Sequence, residues 1–126
     1  METIMQPEPN ETERVLMERI QMLMHEEEVY ANPNFALTDM AMRLKVERTY
    51  IIEAIRKCMN RTLVRYLNEC RVIRAMDIMS RPENACLSLE VIAGASGFCD
   101  RNRFNSVFEE VTGLTPTEFK HYVDRG

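Results

Sequence analysis

Hydrophobic residues recur at helical spacing along nearly the whole chain. An N-terminal set predicts an amphipathic helix: Val15, Leu16, Ile20, Leu23 and Met24. Pro33 disfavours helical geometry at the residue before it, so this helix should end near Val29 to Tyr30. From Phe35 onward the period stays helical, without an alternating run long enough for a strand. The pattern predicts an all-α fold with further helices at about 37–44, 47–58, 62–80, 88–95, 100–111 and 116–123.

Residues with defined roles at helix ends mark boundaries in the second half of the chain. Ser88 and Asp100 are favourable N-caps, and Gly97 and Gly113 can adopt the left-handed conformation that closes a helix. The run Thr115-Pro116-Thr117-Glu118 combines an N-cap threonine, a first-turn proline and a capping-box glutamate. These signals support the boundaries that the hydrophobic period predicts.

The helical region contains an internal repeat. When the sequence is shifted by 53 residues, 46–60 aligns with 99–113, and apolar positions meet apolar positions. The aligned apolar pairs are Ile51 with Phe104, Ala54 with Val107 and Ile55 with Phe108. Asn60 aligns with Gly113, and these are the two residue types most tolerant of left-handed geometry. Upstream the shift is 52, which places one extra residue in the second turn. Each copy is a short helix, a tight turn and a longer helix, so the repeat predicts two helix-turn-helix units.

The predicted helix 62–80 joins the two units. At about 1.5 Å per residue it should span roughly 28 Å. Successive major grooves on one face of B-DNA are about 34 Å apart. The predicted spacing therefore suits two recognition helices on one duplex.

Two groups of motifs between Phe35 and Tyr122 point to a family. The second unit contains Leu89, Ile92-Ala93, Gly97-Phe98, Phe104, Phe108, Thr112-Gly113, Thr115-Pro116 and Phe119. The first unit and the helix after it contain Met40-Ala41, Ile51, Ile55, Tyr66-Leu67-Asn68, Arg71 and Ala75. Together these motifs resemble the DNA-binding domain of AraC/XylS-type bacterial transcription regulators. The resemblance implies a regulator that binds adjacent major-groove segments of double-stranded promoter DNA, with RNA polymerase as a further candidate partner.

The predicted organisation has three parts. Residues 1–12 should form a disordered tail, and residues 13–34 an acidic amphipathic helix and linker. The AraC-type DNA-binding domain should occupy 35–126, as a first helix-turn-helix at 35–61, the joining helix at 62–80 and a second helix-turn-helix at 81–126. Many members of the resembled family carry a separate sensing domain, for which the residues before Phe35 are too few. The chain is then either a stand-alone regulator or part of a longer one.

Base contacts are expected from the outward face of the second helix in each unit, which the resemblance places in the major groove. The first base-reading face comprises Arg48, Thr49, Ile52 and Glu53, and the second comprises Arg101, Asn102, Asn105 and Ser106. Arginine can donate two hydrogen bonds to guanine, and asparagine can bond adenine N6 and N7. Candidate contacts to the DNA backbone, chosen for charge and nearness, are Arg43, Lys45, Arg56, Lys57, Arg61, Arg65 and Arg103.

The first base-reading face has two unusual members. Ile52 has no polar group and suits a thymine methyl group. Glu53 has three alternative roles: it can accept a hydrogen bond from cytosine N4, orient Arg48 and Arg56, or pair with Lys57 four residues later. The residue pattern leaves all three roles open.

Charge is distributed unevenly along the chain. The formal net charge is -4, to which residues 1–34 contribute -6 and the remainder +2. Glu109-Glu110 also places acids where the resembled family usually has a basic residue. Because lysine and arginine provide most of the sequence-independent attraction to DNA, this charge predicts weak generic binding and a greater dependence on specific contacts.

The sequence predicts no catalytic, metal or cofactor site. Its candidate soft ligands lack metal-binding spacing: Cys58, Cys70, Cys86, Cys99, His25 and His121. No Gly-rich phosphate loop, signal peptide or long apolar run is present, so a non-enzymatic, cytoplasmic protein is expected. The main alternative is a helical protein-interaction domain without DNA binding, which the acidic N-terminal helix and the ten methionines would suit.

Overall fold

The computed structural model describes residues 8–125, which form seven α-helices. These are α1 (Glu11–His25), α2 (Leu37–Leu44), α3 (Arg48–Met59), α4 (Leu63–Ser80), α5 (Leu89–Ala95), α6 (Arg101–Thr112) and α7 (Pro116–Arg125). Single turns of 3-10 helix lie at Val29–Ala31 and Pro82–Asn84. Residues 8–125 contain no strand, and the prediction of an all-α fold is confirmed.

The predicted boundaries of α2 to α7 agree with the structure to within two residues. The agreement has a local cause at three of the helix starts. Ser88, Asp100 and Thr115 each accept a hydrogen bond from a first-turn amide, at 3.2, 2.7 and 3.1 Å respectively. These bonds satisfy amides that have no partner inside the helix.

Helix α1 begins earlier than the sequence predicts. Asn10 Oδ1 accepts a hydrogen bond from the Glu13 amide at 2.7 Å, and Glu13 Oε1 accepts one from the Asn10 amide at 2.9 Å. This capping box starts the helix at Glu11, within the segment predicted to be a disordered tail. Of that predicted tail, residues 1–7 lie outside the described residues.

Helix α1 also ends earlier than predicted, at His25. The three residues that follow are Glu26, Glu27 and Glu28, and Glu28 has a positive φ of 52°. Successive carboxylates are unfavourable near the negative end of the helix dipole, which explains the early end. Val29, the last apolar residue of the predicted helix, lies instead in the short 3-10 turn.

The chain folds into two compact units, and the described part of the first comprises residues 8–29 and 35–66. Helix α1 packs against α3 in this unit. The buried residues of its three principal helices are Leu16, Met17, Ile20, Leu23, Met24, Met40, Leu44, Ile51, Ala54 and Ile55. Arg19 Nη2 also donates to the Leu44 carbonyl oxygen at 2.9 Å. Helix α1 is therefore an integral part of the first unit.

The described part of the second unit comprises residues 30–34 and 67–125. Its core residues are Val72, Ala75, Met79, Ile92, Ala93, Phe98, Phe104, Val107 and Phe108. Phe98, Phe104, Phe108 and Phe119 form a chain of aromatic contacts, with successive ring centroids 5.2, 5.7 and 5.6 Å apart. Helix α4 contributes Val72, Ala75 and Met79 to this core, so it packs within the second unit as well as following the first.

A buried arginine fixes the Tyr30–Asn34 segment within the second unit. Arg71 is only 6% exposed. Its Nε donates to the Tyr30 carbonyl oxygen at 2.8 Å, its Nη2 to the Asn32 carbonyl oxygen at 3.2 Å, and its Nη1 to Asn68 Oδ1 at 3.3 Å. One guanidinium therefore satisfies three acceptors, and two of them are backbone carbonyl oxygens of the Tyr30–Asn34 segment.

Left-handed residues at matched positions support the internal repeat. Lys45 (φ 59°) follows α2, and Gly97 (φ 101°) follows α5. Asn60 (φ 56°) and Gly113 (φ 84°) follow α3 and α6 in the same way. Both pairs keep the offset of the sequence alignment, so α2–α3 and α5–α6 have the same helix-turn-helix design.

Candidate nucleic-acid interface

The second base-reading face lies on the side of α6 that points away from the core of the second unit. Phe104, Val107 and Phe108 face the core of the second unit. Asn102 and Ser106 are exposed, whereas Arg101 and Asn105 are partly exposed. The four predicted residues therefore lie on the outward part of a helix whose inner side is fixed by aromatic packing.

Two members of the second base-reading face interact with each other and with α5. Arg101 Nε donates to Asn105 Oδ1 at 3.2 Å, and Arg101 Nη1 donates to Glu90 Oε2 at 2.7 Å. The Arg101–Asn105 bond uses one acceptor position of the Asn105 amide, whereas Asn102 is exposed. Asn102 is therefore the better candidate for two simultaneous hydrogen bonds to adenine.

Helix α3 presents the first base-reading face in the same manner. Its buried side is formed by Ile51, Ala54 and Ile55. Arg48, Thr49 and Ile52 are exposed, and Glu53 is half-buried. The exposed members therefore combine one cation, one hydroxyl group and one apolar side chain.

Glu53 adopts one of the three roles that the sequence left open. Its Oε1 accepts a hydrogen bond from Arg56 Nη2 at 2.6 Å. The bond and the nearby carboxylate raise the pKa of Arg56. Glu53 thus orients Arg56, and the alternative pair with Lys57 is not formed because Lys57 has another partner.

Lys57 was predicted to contact the DNA backbone, but in the structure it pairs with a residue of α1. Its Nζ lies 2.9 Å from Glu13 Oε2 on α1, and the lysine side chain is only 18% exposed. Hydrogen bonds from the Asn10 amide and from Lys57 lower the pKa of Glu13, which favours its charged form. The ammonium group therefore stabilises the contact between α1 and α3 and is not presented to a ligand.

The other predicted backbone contacts are placed differently from one another. Arg43 forms an ion pair with Glu27, although about half of its side chain stays exposed. Lys45 and Arg103 are exposed at the turn before α3 and in the first turn of α6, respectively. Arg61 is exposed and donates to the Asn60 carbonyl oxygen at 3.2 Å.

Arg65 and Arg56 complete the predicted DNA-backbone set. The Arg65 amide donates to Thr62 Oγ1 at 3.1 Å, which caps the start of α4, and its side chain is partly exposed. Arg56 is held by Glu53, as described above. The exposed cations of the predicted set are therefore Arg43, Lys45, Arg61 and Arg103, of which Arg43 is paired with Glu27.

Two residues near the base-reading faces were not predicted. Glu90 contacts Arg101 across the turn of the second unit, but the hydrophobic period of α5 gives no indication of that contact. Tyr50 is 59% exposed and, with Val15 and Val46, lines a cleft of about 500 Å³ beside α1. The only feature of the sequence that could have drawn attention to Tyr50 was an aromatic residue at an outward position of a predicted helix.

A family model described as "Helix-turn-helix domain" matches residues 40–122. The chain belongs to the AraC-type helix-turn-helix family. The Msm operon regulatory protein of Streptococcus mutans is 24% identical over 113 residues, which cover 90% of this chain and 38% of that protein. This match places a named regulatory protein among the relatives of this AraC-type chain.

Solved structures agree with the AraC-type assignment. The C-terminal domain of the two-component response regulator yesN from Fusobacterium nucleatum is 25% identical with a TM-score of 0.72, covering 84% of this chain and 98% of that one. A Chromobacterium violaceum transcriptional regulator, described as containing an AraC-type DNA-binding domain, is 19% identical with a TM-score of 0.69, covering 86% and 96%. The second likeness supports the fold.

The AraC-type assignment decides the function class. The chain carries the DNA-binding domain of a family of transcription regulators, and these matches give no support to the alternative of a protein-interaction domain without DNA binding. It spans well under half the length of the curated relatives that it matches. Within residues 8–125, no helix has the length and apolar character needed to cross a membrane. The same residues contain no cluster of three or more side chains suited to metal binding.

Proposed function

We propose that each unit of this AraC-type domain inserts its recognition helix, α3 or α6, into adjacent major-groove segments of one promoter duplex. The observation that carries the proposal is the repeated turn geometry, in which a left-handed residue precedes a helix with one buried and one polar side. This arrangement leaves the outward side of both helices accessible to base edges. Selection of bound sequences from random duplex DNA tests the proposal, because it should return a site with two conserved segments.

The two base-reading faces differ in chemistry and should prefer different bases. On α6, Arg101 is suited to guanine O6 and N7, and exposed Asn102 to adenine N6 and N7. On α3, Arg48 is suited to guanine, and Ile52 to a thymine methyl group. The segment bound by α6 should therefore be defined by hydrogen bonds, and the segment bound by α3 partly by apolar contact.

Accessible cations should hold the DNA backbone in register with these faces. Lys45, Arg61 and Arg103 are exposed candidates, and Arg43 is a fourth exposed cation, which pairs with Glu27. RNA polymerase is proposed as a further partner because the family consists of transcription regulators, and a separate sensing domain because this chain spans only part of each curated relative. An interaction assay with purified polymerase on promoter DNA tests the first of these partners.

Arg101→Ala should weaken binding to the selected site by about 1 to 3 kcal/mol, since a two-bond contact with guanine would be lost. The loss should be confined to one base pair when single-base variants of the site are titrated. Arg81→Ala is the matched control, because it removes the same charge from an exposed arginine that pairs only within its own helix end. Equal losses at every base pair would instead assign Arg101 to a phosphate.

Arg103→Ala should reduce the dependence of binding on salt, whereas Lys57→Met should leave it nearly unchanged. Arg103 is exposed beside the second base-reading face, but Lys57 is paired with Glu13. A lost phosphate contact lowers the slope of log K against log salt concentration by about 1. Titrations between low and high salt measure this slope, and a similar decrease for both variants would contradict the assignment of Lys57 to the α1–α3 contact.

A further inference from the structure

We propose that Glu90 on α5 is a specificity-determining positioning residue, which holds the Arg101 guanidinium in the orientation needed to distinguish one base pair. This inference rests on the proposed function of the second base-reading face. Glu90 lies in the first turn of α5, outside that face, and reaches Arg101 across the helix-turn-helix turn. It would act through Arg101 without contacting a base.

The Arg101 guanidinium is held at two separate points. Glu90 Oε2 accepts from Nη1 at 2.7 Å, and Asn105 Oδ1 accepts from Nε at 3.2 Å. One bond comes from α5 and the other from the next turn of α6, so the two fix both the position and the rotation of the planar group. A long arginine side chain would otherwise lose considerable rotamer freedom when it binds a base.

Both bonds can persist while Arg101 binds guanine. A guanidinium has five N–H donors, and Glu90 and Asn105 occupy two of them. The remaining donors are sufficient for the two acceptors that guanine presents in the major groove. Glu90 therefore need not compete with DNA for the arginine.

Solvent exposure favours an orienting role over a stabilising one. The Glu90 side chain is 68% exposed, and that of Arg101 is 32% exposed. An ion pair this accessible contributes little to folding stability, because water screens it. Its main consequence is the geometry of Arg101 before DNA arrives, which lowers the cost of ordering that side chain on binding.

The first unit provides an internal comparison. The sequence repeat places Thr38 opposite Glu90 and Arg48 opposite Arg101. Threonine is short and uncharged, so it offers Arg48 no equivalent charged acceptor. The arginine of α6 should therefore distinguish bases more sharply than the arginine of α3.

The test measures discrimination at each base pair with duplexes that carry single-base changes in the selected site. Glu90→Ala should lower discrimination at the base pair assigned by Arg101→Ala by about three- to tenfold, and leave the other positions unchanged. Glu90→Gln should retain part of it, because the amide oxygen still accepts a hydrogen bond. Glu83→Ala is the matched control, since it removes an exposed acid from the same unit.

A double variant separates positioning from general effects on charge or stability. In the Arg101→Ala background, Glu90→Ala should change discrimination at that base pair by less than twofold, because the group it orients is absent. Unchanged or improved discrimination in Glu90→Ala, or an equal loss at every position, would overturn the inference. If Arg101→Ala itself has no base-specific effect on an otherwise selective protein, this inference fails together with the assignment of Arg101 to a base, whereas the proposed insertion of α3 and α6 into the major groove stands. If the wild-type protein shows no sequence preference, the proposed function fails as well.

Discussion

Replacing Gly97 by valine is expected to destabilise the second unit by about 3 kcal/mol or more. Gly97 has a φ of 101°, a conformation that a β-branched residue adopts only with strain. A Cβ at this position would lie 2.4 Å from the Tyr30 carbonyl oxygen, 3.1 Å from Ala31 Cα and 3.1 Å from Arg71 Nε. Two of these neighbours are backbone atoms that cannot rotate away, so strain and steric overlap act together. Denaturant unfolding followed by circular dichroism measures the loss.

Two other glycines separate these contributions. Gly113 has a φ of 84°, and a Cβ added there would meet no atom within 4 Å, so Gly113→Ala should cost only the strain, about 1 to 2 kcal/mol. Gly94 is helical and equally open, so Gly94→Ala should stabilise the protein by about 0.5 to 1 kcal/mol. Similar stabilities for Gly97→Ala and Gly113→Ala would show that the close approach to Tyr30 has no energetic effect.

Arg71→Met should destabilise the second unit by about 2 to 4 kcal/mol. Methionine preserves much of the apolar stem but provides no donor for the two carbonyl oxygens of Tyr30 and Asn32 or for Asn68 Oδ1. Acceptors that lose their hydrogen bonds in a buried site are costly, because water cannot easily replace the donor. Thermal and denaturant unfolding should both report the change.

Arg71→Lys distinguishes the role of geometry from that of charge. Lysine keeps the charge, but its single ammonium group cannot reproduce the planar arrangement that reaches three acceptors. It should therefore restore less than half of the lost stability, and Arg81→Met, which removes an exposed arginine, should have little effect. Full recovery with lysine would mean that charge alone maintains this site.

Local signals in the sequence predicted most of the helical architecture. Ser88, Asp100 and Thr115 each determine a helix start through one side-chain bond to a nearby amide. The match of Asn60 with Gly113 in the repeat correctly predicted two left-handed helix ends. These features depend on residues within one turn of each other, so the order of residue types along the chain is sufficient to recognise them.

Local signals could not predict contacts between residues that are far apart in the sequence. Lys57 has the charge expected of a phosphate contact, but its partner Glu13 precedes it by 44 residues. Tyr30–Asn34 was predicted to be part of a linker, although Arg71 binds it to the second unit. Helical periodicity predicts which side of a helix is buried, but it does not identify the helix or segment that covers that side.

The polar residues of the candidate interface illustrate the same limit. Arg101 and Asn105 were correctly placed together on α6, because four residues separate neighbours on one helix face. The contact of Arg101 with Glu90 depends on how α5 and α6 pack around their turn. The orientation of the outward side chains thus depends on the packing of two helices as well as on residue identity.

The dependence of the second unit on Tyr30–Asn34 has a consequence for protein synthesis. This peptide leaves the ribosome before its partner Arg71, which follows Tyr30 by 41 residues. At about 5 to 20 residues per second, the interval is roughly 2 to 8 s. During that time its carbonyl groups are hydrated and accessible to nascent-chain chaperones. The second unit therefore cannot complete its core until Phe104, Val107 and Phe108 have also been made, and it must then recapture a segment made much earlier.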